Sequence, residues 1–153
     1  MNANSLIEWV NKHNAKSRTI LGFWEYFNTW RKEDRSEYLD TFHGKLHDEF
    51  IQVLENQINL KLRFYMEEAI IAYTVDILYL NEPIGTYVME FLLNGEIEDE
   101  YLDFINFKHE ISQIRENLTI ARKAIKEDVQ LSAIANITGI DEALLKTIKE
   151  KYC

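Results

Sequence analysis

Two histidines and an aspartate in the first third of the chain have the spacing of a metal site. Asp40, His43 and His47 lie at positions i, i+3 and i+7, which share one face if the segment is helical. Imidazole and carboxylate groups are ligands for Zn²⁺ and related metals, so the set is a candidate for a metal-dependent hydrolase. However, Gly44 weakens the helix that must present these side chains, and no other His lies in an obviously partnering segment. We therefore expect no metal and no other cofactor.

Catalytic motifs with specific spacing are missing from the sequence. It has no phosphate-binding glycine loop, no Gly-x-Ser-x-Gly elbow and no Cys-x-x-Cys pair. The only cysteine, Cys153, can form no intrachain disulfide, which fits a reducing compartment. The N-terminal residues do not resemble a secretory signal, and no apolar run is long enough to span a membrane. We expect a cytoplasmic protein that is not an enzyme.

The middle third of the chain is strongly acidic. The formal net charge is −9, yet the segment 64–107 contains ten Asp and Glu residues and no Lys, Arg or His. Such a surface repels nucleic acid and attracts a basic partner, although a solvated acidic face that only maintains solubility has the same composition. The residues predicted to bind a partner are Glu90, Glu96, Glu98, Asp99, Glu100 and Asp103.

The elements that must position these residues are predicted to be helices. One Pro and five Gly in 153 residues leave few forced turns, and apolar residues recur at helical spacing. We expect an all-α fold, with a helical bundle over 1–119 and a small helix-turn-helix-like module over 120–153. Predicted helices cover about 5–14, 18–32, 34–54, 60–80, a short segment after Pro83 that ends at Asn94 and Gly95, and 96–126.

Aromatic residues are concentrated in the second predicted helix. Phe23, Trp24, Tyr26, Phe27 and Trp30 are five aromatics within eight residues. They cover more than one face of a helix, so the segment is either enclosed by other elements or presents an aromatic surface to a partner. Core packing is the expectation for most of them.

The sixth predicted helix has apolar residues at intervals of seven. Acidic residues at one flanking position and basic residues at the other match a parallel two-stranded coiled coil, so the helix over 96–126 could form a homodimer. The same pattern also suits packing against helices of the same chain. The predicted self-association seam consists of Ile97, Phe104, Phe107, Ile111, Ile114 and Leu118.

The C-terminal residues have the pattern of a helix-turn-helix. Ala135 supplies a small residue where two helices cross, and Gly139 suits a turn with positive φ. Apolar residues that would hold the second helix on the first are Ile134, Ile140, Leu145 and Ile148.

This tail resembles the C-terminal tail of the recombination-promoting nuclease and transposase-like proteins of bacteria. The resemblance covers about a fifth of the chain and is carried by Ile134-Ala135, Thr138-Gly139-Ile140, Leu145 and Ile148. The nuclease core of that family needs an acidic residue and a Glu-x-Lys pair on strands, and we expect no such strands in 1–119. The resemblance therefore implies the shape of the tail and not nuclease activity.

We expect a non-enzymatic regulatory or inhibitory protein whose acidic middle third binds a protein with a basic surface, such as a nucleic-acid-processing enzyme or a toxin. The alternative is a DNA-binding regulator that uses Lys146, Lys149 and Lys151. Asp141 and Glu142 stand where a recognition helix would approach phosphate, so the charge disfavours nucleic acid.

Overall fold

The computed structural model describes residues 1–65 and 68–153, which form six α-helices and a four-stranded antiparallel sheet. The expectation of an all-α helical bundle is therefore wrong. Met66 and Glu67, which belong to the predicted fourth helix and the acidic segment, lie outside the described residues. The elements are α1 (Ala3–His13), α2 (Ala15–Glu33), α3 (Arg35–Phe42), β1 (Ile51–Arg63), β2 (Glu68–Tyr79), β3 (Glu82–Leu92), β4 (Ile97–Asp103), α4 (Lys108–Lys126), α5 (Leu131–Thr138) and α6 (Glu142–Tyr152).

The first two helices lie close to their predicted positions. Asn2 caps α1: its side chain accepts a hydrogen bond from the Ser5 backbone N–H, and Ser5 Oγ accepts one from the Asn2 backbone N–H. Asn14 adopts a left-handed conformation with φ 52° and separates α1 from α2. The third predicted helix begins correctly, but it ends at Phe42 instead of continuing to residue 54.

The sheet has the order β1-β2-β3-β4, with every pair antiparallel. Two short turns suffice to connect its last three strands. Leu80 and Asn81 have φ values of 52° and 68°, as a type I′ hairpin turn requires, and the β3–β4 turn contains Gly95 at φ 90°. The chain therefore needs few glycines to build a sheet.

The helices pack on one face of the sheet. Alternate residues of β2 and β3 enter a single hydrophobic core together with residues of α1, α2 and α4 to α6. Trp9 of α1 illustrates the contact: it meets the Phe91 ring at 5.7 Å between centroids and donates from Nε1 to the Leu93 carbonyl at 2.7 Å. Side chains on this face of β2 and β3 include Ile71, Tyr73, Val75, Ile77, Tyr87, Met89 and Phe91.

The predicted continuous helix over 96–126 is wrong. Ile97 lies in β4, Phe104 and Phe107 lie in the connection between β4 and α4, and α4 itself begins at Lys108. The remaining seam residues, Ile111, Ile114 and Leu118, are buried in the core of the same chain. The part of the seam on α4 is therefore covered by this chain's own elements, whereas Ile97 is 48 % exposed.

The two helices predicted around Gly139 are present. Gly139 has φ 72° at the end of α5, and Ile134, Leu145 and Ile148 are buried in the common core. The preceding helix α4 runs across the expected boundary between residues 119 and 120. In the part of the chain that the structure describes, no helix is both long enough and apolar enough to cross a membrane.

Candidate protein-binding groove

Two adjoining cavities lie where α2 passes the edge strand β4. Their volumes are about 360 Å³ and about 270 Å³, and both are lined by Tyr26 and Trp30, so they form one continuous groove. We call this feature the acidic groove. Its other lining residues are Glu25, Thr29 and Glu33 from α2, Glu37 and Thr41 from α3, Glu100 and Leu102 from β4, and Phe104 and Ile105.

Helical and strand periodicity bring these side chains together. On α2, Tyr26 and Trp30 are four residues apart, so their rings lie above one another on one face. On β4, Glu100 and Leu102 alternate with outward-facing residues and pair with Met89 and Tyr87 of β3, which places them on the helix-covered face. β4 is the last strand of the sheet, and the helices leave the margin of the sheet beside it open.

Trp30 forms the floor of the groove, and its ring is held in a fixed orientation by two contacts. Its ring stacks on Phe104 with centroids 5.8 Å apart and an interplanar angle of 22°. Its Nε1 donates to Oε2 of Glu37 at 3.0 Å. The Tyr26 ring, 38 % exposed, lies edge-on to buried Tyr87 at 6.2 Å. Two aromatic rings are thus presented partly to solvent instead of being wholly enclosed.

Carboxylates surround these rings. Glu25, Glu33, Glu37 and Glu100 line the groove, and within residues 1–65 and 68–153 no Lys or Arg lines it or forms an ion pair with these four. Glu100 accepts a hydrogen bond from the Tyr87 hydroxyl. Burial, reinforced by this bond to a carboxylate, raises the pKa of Tyr87, so the phenol remains a donor at neutral pH. The groove therefore carries uncompensated negative charge beside aromatic rings.

The open edge of β4 is partly blocked against strand pairing. In β4, Asp99 Oδ1 accepts the backbone N–H of Glu100 at 2.8 Å, and just beyond the strand Asp103 Oδ1 accepts that of Ile105 at 2.9 Å. Charged side chains on an edge strand are a common protection against pairing with another strand. Recognition at this margin therefore depends on side chains in the groove more than on added backbone pairing.

Only one of the six acidic residues proposed from sequence lines the groove, namely Glu100. Glu90 is 5 % exposed and its carboxylate is held between Lys61 Nζ at 2.7 Å and Arg63 Nη2 at 2.6 Å. Arg63 also pairs with Glu98 at 3.1 Å. Glu96 bonds to Asn94, while Asp99 and Asp103 cap backbone amides. Part of the predicted acidic surface is therefore neutralised by cations of β1.

The Asp40, His43 and His47 set does not share a helical face. Asp40 lies in α3, but His43 caps that helix with φ 52°, and His47 lies beyond it, against the Tyr152 ring at 4.1 Å between centroids. Among the described residues there is no cluster of three or more His, Cys, Asp or Glu side chains that could hold a metal ion. The helical geometry that motivated the metal site is therefore wrong.

The lysines proposed for DNA binding lie on α6 and are exposed. Lys151 forms an ion pair with Glu49 at 3.4 Å. Asp141 and Glu142, at the start of the same helix, are also exposed. Exposed negative charge is therefore present at the start of α6, where a recognition helix would approach phosphate.

Sequence reasoning missed the carboxylates of α2 and α3 that line the groove. The sequence of α2 does contain a signal for two of them. Glu25 and Glu33 flank Tyr26 and Trp30, and residues three or four apart share a helix face. Their proximity to Glu100 could not be read from spacing, because it depends on how β4 lies beside α2. No family model, curated protein or solved structure matches the chain.

Proposed function

We propose that the protein is a non-enzymatic regulatory or inhibitory protein that binds a basic segment of a partner protein in the acidic groove. The observation that carries the proposal is the combination of four carboxylates with the rings of Tyr26 and Trp30. A Lys or Arg side chain matches both features, because its stem is apolar and its head is cationic.

The groove can hold such a side chain by two attractions acting together. A cation over an aromatic face gains about 0.5–2 kcal/mol, depending on how far it is desolvated. Hydrogen bonds from Lys or Arg to carboxylates are charge-assisted and are stronger than neutral ones. Glu33 and Glu100 line the same cavity as both aromatic rings, so one cation can use both interactions.

The shape of the groove also favours a peptide over a cofactor. The groove consists of two adjoining cavities of about 360 Å³ and about 270 Å³. Their arrangement in a row suits successive side chains of one extended segment. Exposed Ile105, at the far end of the second cavity, offers an apolar contact for a residue beside the cation.

A labelled peptide of alternating Lys and Gly tests the proposal by fluorescence anisotropy with the full-length protein. The groove variant is Glu25→Gln, Glu33→Gln and Glu100→Gln combined. The matched control combines Glu8→Gln, Glu116→Gln and Glu127→Gln, all exposed and outside the groove, so the net charge changes equally. We expect the groove variant to bind about tenfold more weakly or worse, and the control to bind like the wild type.

Two results would contradict the proposal. Equal weakening in both variants would show that the peptide senses only the overall negative charge, and no binding by the wild type at low salt would remove the groove as a site. A duplex DNA probe with the Lys146→Glu, Lys149→Glu variant tests the alternative function: a gel shift that this variant abolishes would favour the DNA-binding regulator.

A further inference from the structure

A separate cleft of about 720 Å³ lies between the C-terminal end of α2, the helix α3 and the segment 45–49. It shares no lining residue with the acidic groove. Its polar lining contains four permanent cations, Arg31, Lys32, Arg35 and Lys45, together with His47. Such a concentration is unexpected in a chain of formal net charge −9.

The two carboxylates that line this cleft are already engaged. Asp48 accepts a bidentate pair from Arg31, Nη1 to Oδ1 at 2.5 Å and Nη2 to Oδ2 at 2.9 Å. This bond holds the pKa of Asp48 below its usual value. Glu49 accepts a hydrogen bond from the Tyr152 hydroxyl and pairs with Lys151. Neither acid is therefore available to neutralise the other cations.

Lys32, Arg35 and Lys45 form no ion pair within the described part of the chain. All three are exposed, and they come from three different elements: the end of α2, the first residue of α3 and the segment after α3. Like charges gathered around one concave surface repel each other, so their convergence favours an anion that bridges them.

The backbone around Lys45 is held by hydrogen bonds with side chains of α3 and α4. Arg115 of α4 donates from Nε to the Phe42 carbonyl and from Nη2 to the Lys45 carbonyl, both at 2.8 Å. The Leu46 backbone N–H donates to the hydroxyl of buried Tyr38 at 2.8 Å. The segment that carries Lys45 is thus held against α3 and α4, which makes the cleft a preformed surface.

We propose that this cleft binds a small molecule carrying a diphosphate group. One phosphate monoester carries about −1.5 to −2 charges at pH 7, so two phosphate groups together supply enough charge for three unpaired cations, whereas a single carboxylate does not. The volume of about 720 Å³ leaves space for a group attached to the diphosphate. Leu39 and Leu46 provide an apolar surface for that group.

A small ligand fits this cleft better than a nucleic acid does. Three cations without an ion pair among the described residues converge on the cleft, while the whole chain has a net charge of −9. An extended polyanion would pass over negative surface on leaving the cleft, and that repulsion weakens its binding. A compact diphosphate stays within the cleft, beside Lys32, Arg35 and Lys45.

Isothermal titration calorimetry of the full-length protein with inorganic pyrophosphate tests the proposal. The cleft variant is Lys32→Gln, Arg35→Gln and Lys45→Gln combined, and the matched control is Lys12→Gln, Lys123→Gln and Lys126→Gln, exposed lysines outside the cleft. We expect saturable binding by the wild type and the control, and at least tenfold weaker binding by the cleft variant. Circular dichroism checks that all three proteins are folded.

Three outcomes would overturn the proposal. The first is no binding of pyrophosphate by the wild type at millimolar concentration. The second is equal weakening in the cleft variant and the control, since that would reflect net charge alone. The third is binding of a single-stranded oligonucleotide or a Glu-rich peptide through the same three cations without binding of pyrophosphate, because it would assign the cleft to a macromolecule.

Discussion

The hydroxyl of Tyr87, buried in the core, donates a hydrogen bond to Glu100 at the rim of the acidic groove. This bond links the central strand β3 to the edge strand β4 through side chains, in addition to the backbone pairing of the two strands. It also holds one groove carboxylate in a defined position. The core and the proposed binding surface are therefore coupled at these two residues.

Replacing Tyr87 with Phe tests this coupling. The substitution keeps the ring in the core but removes the donor, and we expect a loss of about 1–2 kcal/mol in the free energy of unfolding in urea. Binding of the Lys-containing peptide should weaken about threefold, since Glu100 is no longer held in place. Tyr65→Phe is the control, because Tyr65 is fully exposed and lies outside the groove. Unchanged stability in Tyr87→Phe would refute the role of the bond.

Glu90→Gln should destabilise the protein more than Glu98→Gln. Burial raises the pKa of Glu90, but the hydrogen bonds and charges of Lys61 and Arg63 outweigh it and hold that pKa below its ordinary value. Removing the charge leaves two cations without their buried partner, at an expected cost of about 2 kcal/mol in urea unfolding. Glu98 is a more exposed partner of Arg63, so its loss should cost under about 1 kcal/mol.

The pH dependence of the stability that Glu90 contributes provides a second measurement. Because the folded-state pKa of Glu90 is lowered, its contribution is present above the unfolded value and is lost as the pH falls through the folded value. The difference in stability between wild type and Glu90→Gln should therefore shrink below about pH 4.5. A difference that grows in acid would contradict the assignment.

His47 should make the protein less stable in mild acid. Burial lowers the pKa of His47, and the charges of Arg122, Lys45 and Arg115 lower it further, although Glu49 opposes them. The unfolded chain then binds more protons than the folded chain just below the ordinary value of 6.5, so stability falls as the pH falls through this range. Thermal unfolding at several pH values should show a smaller decline in His47→Gln than in the wild type.

Two glycines should differ sharply in their tolerance of alanine. A Cβ on Gly85 of β3 would lie 2.3 Å from Cδ1 of Phe104 and 2.7 Å from the Asp103 carbonyl oxygen. A Cβ on Gly139 would meet no described atom within 4 Å, so only its φ of 72° is unfavourable. We expect Gly85→Ala to cost about 3 kcal/mol and Gly139→Ala about 1 kcal/mol in urea unfolding, with Gly139→Asn milder still. The reverse order would contradict the observed packing.

The elements that were predicted correctly are those specified by local interactions. Apolar residues at helical spacing suffice for α1 and α2, and Gly139 marks the turn between α5 and α6. These signals act between residues within a few positions of each other. They are therefore readable without knowledge of the rest of the fold.

The strands were missed because their signals conflict with helical spacing. β2 has buried residues on both faces, so its apolar run shows no period of two, although Ile70, Ile71, Thr74, Val75 and Ile77 are β-branched. Asn94-Gly95 suits the end of a helix, yet Asn-Gly between apolar segments is also a strong hairpin signal. Leu60 and Leu62 alternate as in a strand, but the apolar residues that follow continue at a spacing that favours a helix.

Composition and spacing alone established that the middle of the chain is acidic and that aromatics crowd the second helix. Folding determined which of these residues meet. Lys61 and Arg63 neutralise Glu90 across two strand pairings, whereas Glu100 reaches Tyr26 and Trp30 because the edge strand lies beside α2. Charge and ring type are properties of single residues and can be read from the sequence. Whether a charge is neutralised, and which side chains meet in a groove, depends on contacts between residues far apart in the chain. Only the packed sheet and helices specify those contacts.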